Sequence, residues 1–286
     1  MEIVTTNGEL SEALDLPEWD DREEDVVSTD LSSLNEALGG GLRTSNLIML
    51  QAPTGEGKTT TFVRWACLAL LQGKKVFFYT INEQDKQEML IRIKCALCRI
   101  NYKSKNSNKY DEKEKERMKS DYIKNLLKNL VLAYSENAIN TSYLDKVVSM
   151  GCNYIFIDYL GNDLPNRSDE TYSHLTKRAA LLKNFATKNN VCIVTAMQTN
   201  RNFSKDRELQ DFNPASVDES YMADSVGPAR KATVCLALFN YKKEKYLKLY
   251  KNREFASTGL IKIRFEPNSL KMIEKDCQFY SFDNLN

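Results

Sequence analysis

Two apolar patterns alternate along the chain. Short dense runs at 47–50, 75–80, 130–135, 153–159 and 191–197 read as buried strands. Between them, apolar residues recur every three or four positions over 62–71, 84–100, 142–150 and 170–188, which predicts helices with one buried face. The last of these puts Leu175, Ala179, Leu182 and Phe185 on one side. Strands alternating with helices predict a parallel sheet with helical crossovers. Three closing runs, at 233–239, 246–251 and 259–265, follow one another without helices and predict antiparallel strands.

The pattern also marks what is not regular. Leu31, Leu34 and Leu38 share a helical face, and Gly39-Gly40-Gly41 stops that helix. Residues 101–121 are highly charged with few aliphatics, which predicts an exposed, partly helical insertion. Residues 198–231 form a polar stretch too long for a plain connector. Residues 1–25 are acidic and weakly patterned. They read as a solvated tail, or as a linker helix carrying Leu10, Ala13, Leu14 and Leu16 that docks on a neighbouring subunit. The expected organisation is thus a tail over 1–25 and one α/β domain over 26–286.

Composition narrows this little. At 286 residues with 42% hydrophobic content, there is ample apolar material for one core. A net charge of +1 gives no global field toward nucleic acid, so any such contact must be local. No apolar run approaches a membrane span and the first residues are not signal-like, so a cytoplasmic chain without membrane contact is expected. Seven dispersed cysteines suit a reducing compartment. Cys95 and Cys98 form a C-x-x-C within a helical pattern, where a buried face is the reading over metal or redox chemistry. The single histidine, His174, is read as structural.

The first strand runs into the stretch Ala52-Pro53-Thr54-Gly55-Glu56-Gly57-Lys58-Thr59-Thr60, and then into a helix. This is a phosphate-binding loop in its proper setting. Gly55 and Gly57 let successive backbone N–H groups wrap an anion, and the helix N-terminus adds its own donors. Lys58 is expected to meet the terminal phosphates of a nucleoside triphosphate, and Thr59 to ligate Mg²⁺. Four residues ending in an acid, Ile155-Phe156-Ile157-Asp158, give the expected second Mg²⁺ ligand. Tyr159, not an acid, follows Asp158, so the water-activating base is sought elsewhere. Glu83 is the candidate, on the expectation that strand 75–80 lies beside the loop strand and aims its tip at the γ-phosphate.

Two strand tips complete the set. Gln198, ending the strand over 191–197, can sense the γ-phosphate and relay its presence to the following loop. That loop carries Arg201, Lys205 and Arg207, and the shorter loop after Asp158 carries Arg167, all expected to meet single-stranded nucleic acid through its phosphates. Interleaved acids leave the alternative of a solvated loop. Lys251 and Arg253, at the end of the strand over 246–251, point away from their own phosphate loop, toward the triphosphate of an adjacent subunit, or else lie exposed on a hairpin.

Together these residues resemble the ATPase domain of DnaB-type replicative DNA helicases, within the RecA-like superfamily. The resemblance rests on Ser28-Thr29-Asp30-Leu31, the triple-glycine turn, Ala52 to Thr59, Thr80-Ile81-Asn82-Glu83, Ile157-Asp158-Tyr159-Leu160, Gln198 to Arg201 and Lys251-Asn252-Arg253. Ala52 stands where most phosphate loops have their first glycine, a spelling of the RecA and replicative-helicase branch. The resemblance implies a RecA-like P-loop NTPase with a central, mostly parallel sheet flanked by helices and a C-terminal antiparallel extension. It also implies ATP and Mg²⁺ as cofactors, a homo-oligomer in the form of a hexameric ring around single-stranded DNA, and a helicase loader or primase as partner. In this picture Glu83 is the base, and Lys251 and Arg253 act in trans. A tail of about 25 residues is too short for the family's primase-interacting domain, so a phage-type or minimal form, or a chain cut to the motor domain, is expected. The segment 218–227 follows the family's DNA-loop pattern loosely. A recombinase-like filament protein and a regulatory ATPase that binds protein share the fold and remain open as alternatives.

Overall fold

The computed structural model describes residues 25–137, 139–161, 169–222 and 226–280. The expected tail or linker helix, apart from Asp25, lies outside them. In chain order the elements are β1 (Val26–Val27), α1 (Ser32–Ala37), β2 (Leu42–Arg43), β3 (Leu47–Ala52), α2 (Lys58–Leu71), β4 (Val76–Ile81), α3 (Lys86–Cys98), α4 (Glu112–Lys119), α5 (Asp121–Leu127), β5 (Leu130–Ser135) and α6 (Thr141–Ser149). Then follow β6 (Tyr154–Asp158), α7 (Asp169–Asn189), β7 (Cys192–Gln198), α8 (Arg201–Asp206), α9 (Gly227–Lys231), β8 (Val234–Tyr241), β9 (Glu244–Asn252), β10 (Thr258–Phe265) and β11 (Met272–Tyr280).

One nine-stranded sheet, in the order β11-β10-β9-β8-β3-β7-β6-β4-β5, carries the molecule. From β8 to β5 its strands are parallel, and from β8 to β11 they are antiparallel. Parallel strands are covered on both faces, which is why β3, β4 and β6 are buried throughout rather than alternating. One face packs on α1, α2 and α3 through Leu34, Phe62, Trp65, Met89 and Ile93. The other packs on α6, α7 and α9 through Leu144, Leu175, Ala179 and Ala229. Phe156 on β6 stacks on Phe78 with ring centroids 5.8 Å apart and meets Phe62 at 6.1 Å, joining the sheet to α2.

The predicted strands and helices are all present, and four features depart from the reading of the sequence. First, β4 does not neighbour β3: β7 and β6 lie between them. Second, residues 101–127 are not simply an exposed insertion. α4, opened by a capping box of Asp111 and Glu114, and α5 fold against α3 around Cys95, Cys98, Ile100, Tyr110, Met118 and Ile123. Third, β8 and β9 are joined by only Lys242 and Lys243, both with positive φ (46° and 65°), the backbone of a tight hairpin turn without the usual Asn-Gly. Fourth, a further antiparallel strand, β11, closes the sheet edge. His174 is exposed on α7.

Local chemistry explains the entry to the domain. The chain passes so close to itself at Gly41 (φ 141°) that a Cβ would sit 2.2 Å from the Val27 carbonyl oxygen. Asp30 accepts two hydrogen bonds from the Arg64 guanidinium on α2, at 2.7 and 2.6 Å, and one from the Met272 N–H at 2.9 Å. This buried carboxylate therefore ties α1, α2 and β11 together.

Six cysteines, including Cys95 and Cys98, are buried and Cys277 is exposed. Burial pushes the Cys67 and Cys235 thiols up to about 12, so they resist forming thiolates. A maleimide at neutral pH is expected to label one thiol per folded chain and all seven after unfolding, read by mass spectrometry. Rapid labelling of a second thiol in the folded chain would contradict this packing.

Candidate active site

The phosphate loop leaves the C-terminal end of β3, at the same end of the sheet as the tips of β4, β6, β7 and β8. Loop and tips bound a cleft of about 220 Å³ lined by Thr54, Gly55, Lys58, Thr59, Glu83, Gln84, Arg92, Tyr159 and Gln198 among others. Gly57 has φ 108° at the mouth of α2, a left-handed conformation that turns the loop into the helix. The helix then directs its unpaired N–H groups at the cleft.

The Lys58 ammonium folds back onto its own loop. It donates to the carbonyl oxygens of Ala52 at 2.9 Å and Pro53 at 3.0 Å, with the Tyr159 ring centroid 5.8 Å away. Burial lowers its pKa, opposed by the charges of Asp158, Glu83 and Glu56. Thr59 donates its hydroxyl to Asp158 Oδ2 at 2.7 Å. Asp158 is 1% exposed, and burial pushes its carboxyl up to about 6 against the Thr59 hydrogen bond, with Glu83 adding to the rise. A hydroxyl and a buried carboxylate side by side form a hard, all-oxygen donor set, which fits Mg²⁺.

Glu83 lines the cleft although β4 is separated from β3 by two strands. Gln198 lines the same cleft, and its amide donates to the Tyr159 hydroxyl at 2.8 Å. Tyr159, Gln84 and Arg92 are cleft residues the sequence reading did not select. Tyr159 was adjacent to a selected acid. Arg92, on a helix outside both motifs, carried no signal; it pairs Glu88 at 3.1 Å and lies over the Tyr102 ring at 4.4 Å.

The stretch after Gln198 is a folded unit rather than a free loop. Phe203, Phe212 and Phe239 pack edge to face at 5.4 to 6.3 Å. Gln51 of β3 donates to the Asp218 carbonyl oxygen at 2.8 Å, and Thr199 bridges Met222. Lys205 is exposed. Arg207 is not an available cation: it pairs Glu56 of the phosphate loop at 2.7 Å, because the fold brings the end of α8 against that loop. Arg167, residues 223–225 and the Arg201 side chain lie outside the described residues.

Lys251 and Arg253 are at the other end of the sheet. Asn252 registers with Val234, which registers with Ile48 at the start of β3, whereas the phosphate loop follows Ala52 at its end. Lys251 donates to the Ala229 carbonyl oxygen at 2.6 Å and Arg253 donates to that of Arg230, so both cations project beside α9. Burial lowers the Lys251 pKa. Neither belongs to the cleft formed by their own chain.

The family model for the DnaB-like helicase C terminal domain matches residues 26–273. A solved structure of a DnaB-like replicative helicase, described with its interactions with primase, overlays 90% of this chain with a TM-score of 0.71 and 15% identity. The chain spans 65% of that protein's length. The ATPase domain of G40P overlays 88% of this chain, and 93% of its own length is covered, with a TM-score of 0.69 and 16% identity. At these identities the overlays show the shared RecA-like fold. No curated protein matches the sequence.

Proposed function

Because the chain belongs to the DnaB-like helicase C-terminal domain family, we propose that it is a helicase motor that hydrolyses ATP and tracks on single-stranded DNA during replication. The observation that carries the reading is the convergence of Lys58, Thr59, Glu83 and Gln198 on one cleft, with Asp158 bonded to Thr59 at its floor. Lys58 leaves the Ala52 and Pro53 carbonyls for the β- and γ-phosphates, exchanging two neutral acceptors for anionic ones. Thr59 and Asp158 are the residues that would hold Mg²⁺, which would supply positive charge beside the phosphates. Glu83 orients water and takes its proton. Gln198 and Tyr159 link the γ-phosphate position to the 199–222 segment.

The family's assembly extends the reading. In a head-to-tail ring one surface of each subunit meets a different surface of the next, and Lys251 and Arg253, which do not line their own cleft, act in trans on the neighbour's. The domain organisation is a short tail over 1–25 and the motor over 26–286. A loader or primase, and a cytoplasmic site of action, follow from the same reading.

Addition of single-stranded DNA is expected to stimulate hydrolysis. Affinity should fall with salt along a log–log slope of about −0.7 per phosphate contact, without sequence preference. Charge removal at Lys205 or Arg201 should shallow that slope by roughly one contact's worth. ATP hydrolysis with neither DNA stimulation nor salt-dependent DNA binding would favour a regulatory ATPase.

A further inference from the structure

Glu56 is an acid in the middle of a loop built to receive a triphosphate. Its side chain is 8% exposed and faces away from the cleft, into a pair of cations drawn from two remote elements. Arg207, at the end of α8, donates to Oε1 at 2.7 Å. Lys245, at the start of β9, donates to Oε2 at 2.9 Å and also to the Glu56 main-chain carbonyl oxygen at 2.8 Å. Arg207 additionally lies 5.8 Å from the Phe203 ring, within the aromatic cluster of the 199–222 segment. Burial alone would raise the Glu56 pKa; the two cations hold it below the usual carboxylate range.

The geometry has a specific consequence. Parallel β8 runs beside β3, so the turn at Lys242 and Lys243 delivers Lys245 to the same end of the sheet as the phosphate loop. Neither Arg207 nor Lys245 lines the cleft, and the phosphate-loop side chain that both contact is that of Glu56. The double hold by Lys245 on backbone and side chain fixes the loop at the residue before Gly57, where the chain turns into α2. With both cations in place each oxygen of the carboxylate has a charged donor, and the three side chains together are net positive. Loss of either takes the charged donor from one oxygen of a largely buried carboxylate and removes a positive charge from behind the position of a polyanionic ligand.

We propose that Glu56 is a positioning residue that, clamped by Arg207 and Lys245, holds the phosphate loop in its nucleotide-accepting shape and makes nucleotide affinity depend on the 199–222 segment. This rests on the nucleotide reading of the cleft. Gln198 approaches that segment through the strand it ends, whereas Glu56 approaches it from the loop itself, giving the segment a second and separate connection to the site.

The test is a double-mutant cycle on the full chain, with fluorescent ATP analogue and Mg²⁺ titrated by anisotropy and folding checked by circular dichroism and thermal midpoint. Arg207→Ala should weaken nucleotide binding about five- to tenfold with Glu56 present, and less than about twofold when Glu56→Gln has removed the charge. Lys245→Met should follow the same pattern, and Arg207→Lys should recover most of the affinity. Turnover should show the loss in KM with kcat little changed, because the clamp shapes binding and touches no reacting atom. Equal penalties with Glu56 present and in the Glu56→Gln background would overturn the proposal, as would no penalty in either. If Arg207→Ala fails to fold, the Lys245→Met arm of the cycle decides by the same criterion. Absence of analogue binding by the unsubstituted protein would instead remove the nucleotide reading, and this inference with it.

Discussion

Lys58→Ala and Arg253→Ala, each nearly inactive alone, are expected to regain ATPase activity when mixed. Lys58→Ala keeps Arg253 but has lost the ammonium proposed to meet the phosphates. Arg253→Ala keeps its phosphate loop but lacks the cation that a neighbour would receive. The register puts Arg253 at the opposite end of the sheet from its own loop, so it cannot complete the cleft of its own chain. If it completes the next one, its loss should cost roughly 10³–10⁵ in rate, the scale of an arginine finger in other phosphoryl-transfer enzymes, with nucleotide binding nearly retained. In a freely exchanging equimolar mixture, about one head-to-tail interface in four pairs an intact loop with an intact Arg253. Those interfaces have the unsubstituted composition. Subunit exchange, followed by fluorescence transfer between labelled chains, and excess single-stranded DNA make recovery observable. No recovery at any ratio under those conditions would remove the trans role of Arg253 and the main argument for a ring.

The second large effect is expected at Glu83. Glu83→Gln retains size and one hydrogen-bond acceptor but cannot take a proton from water. Turnover should fall by about 10²–10⁴, the usual contribution of a positioned base, while ATP affinity stays within a small factor of the unsubstituted protein. Lys58→Ala should lose both affinity and turnover, since it removes the proposed counter-charge to the phosphates. The pair of variants separates binding from chemistry. Hydrolysis at the original rate by Glu83→Gln would send the search for the base elsewhere, even though Glu83 lines the cleft.

Local bonding is what the sequence by itself determined. The phosphate loop, the strand ending in Asp158, the parallel strand–helix alternation and the tip at Gln198 were all legible, because each is written in consecutive residues. Glycines at a turn, an apolar run and a terminal acid report conformation and burial over distances of a few residues. The Thr59–Asp158 hydrogen bond follows from two such motifs meeting.

Tertiary structure decided what depends on closure of distant segments. Strand order is one case: the apolar run of β4 is the same whether it lies beside β3 or, as here, beyond β7 and β6. The small core around Tyr110, Met118 and Ile123 was illegible because its apolar residues lie too far apart in a charged stretch to show a period. β11 was illegible because Glu274, Lys275 and Asp276 interrupt its apolar residues, so the run shows no clear alternation. The Lys242–Lys243 turn lacked its usual glycine, since the pairing of β8 with β9 holds both lysines at positive φ. Arg207 is the clearest case. In the sequence it is one cation among several in a polar stretch, and a charge carries no record of which distant carboxylate it will face. Only the folding of α8 against the phosphate loop turned it from a candidate for DNA into the partner of Glu56, 151 positions away.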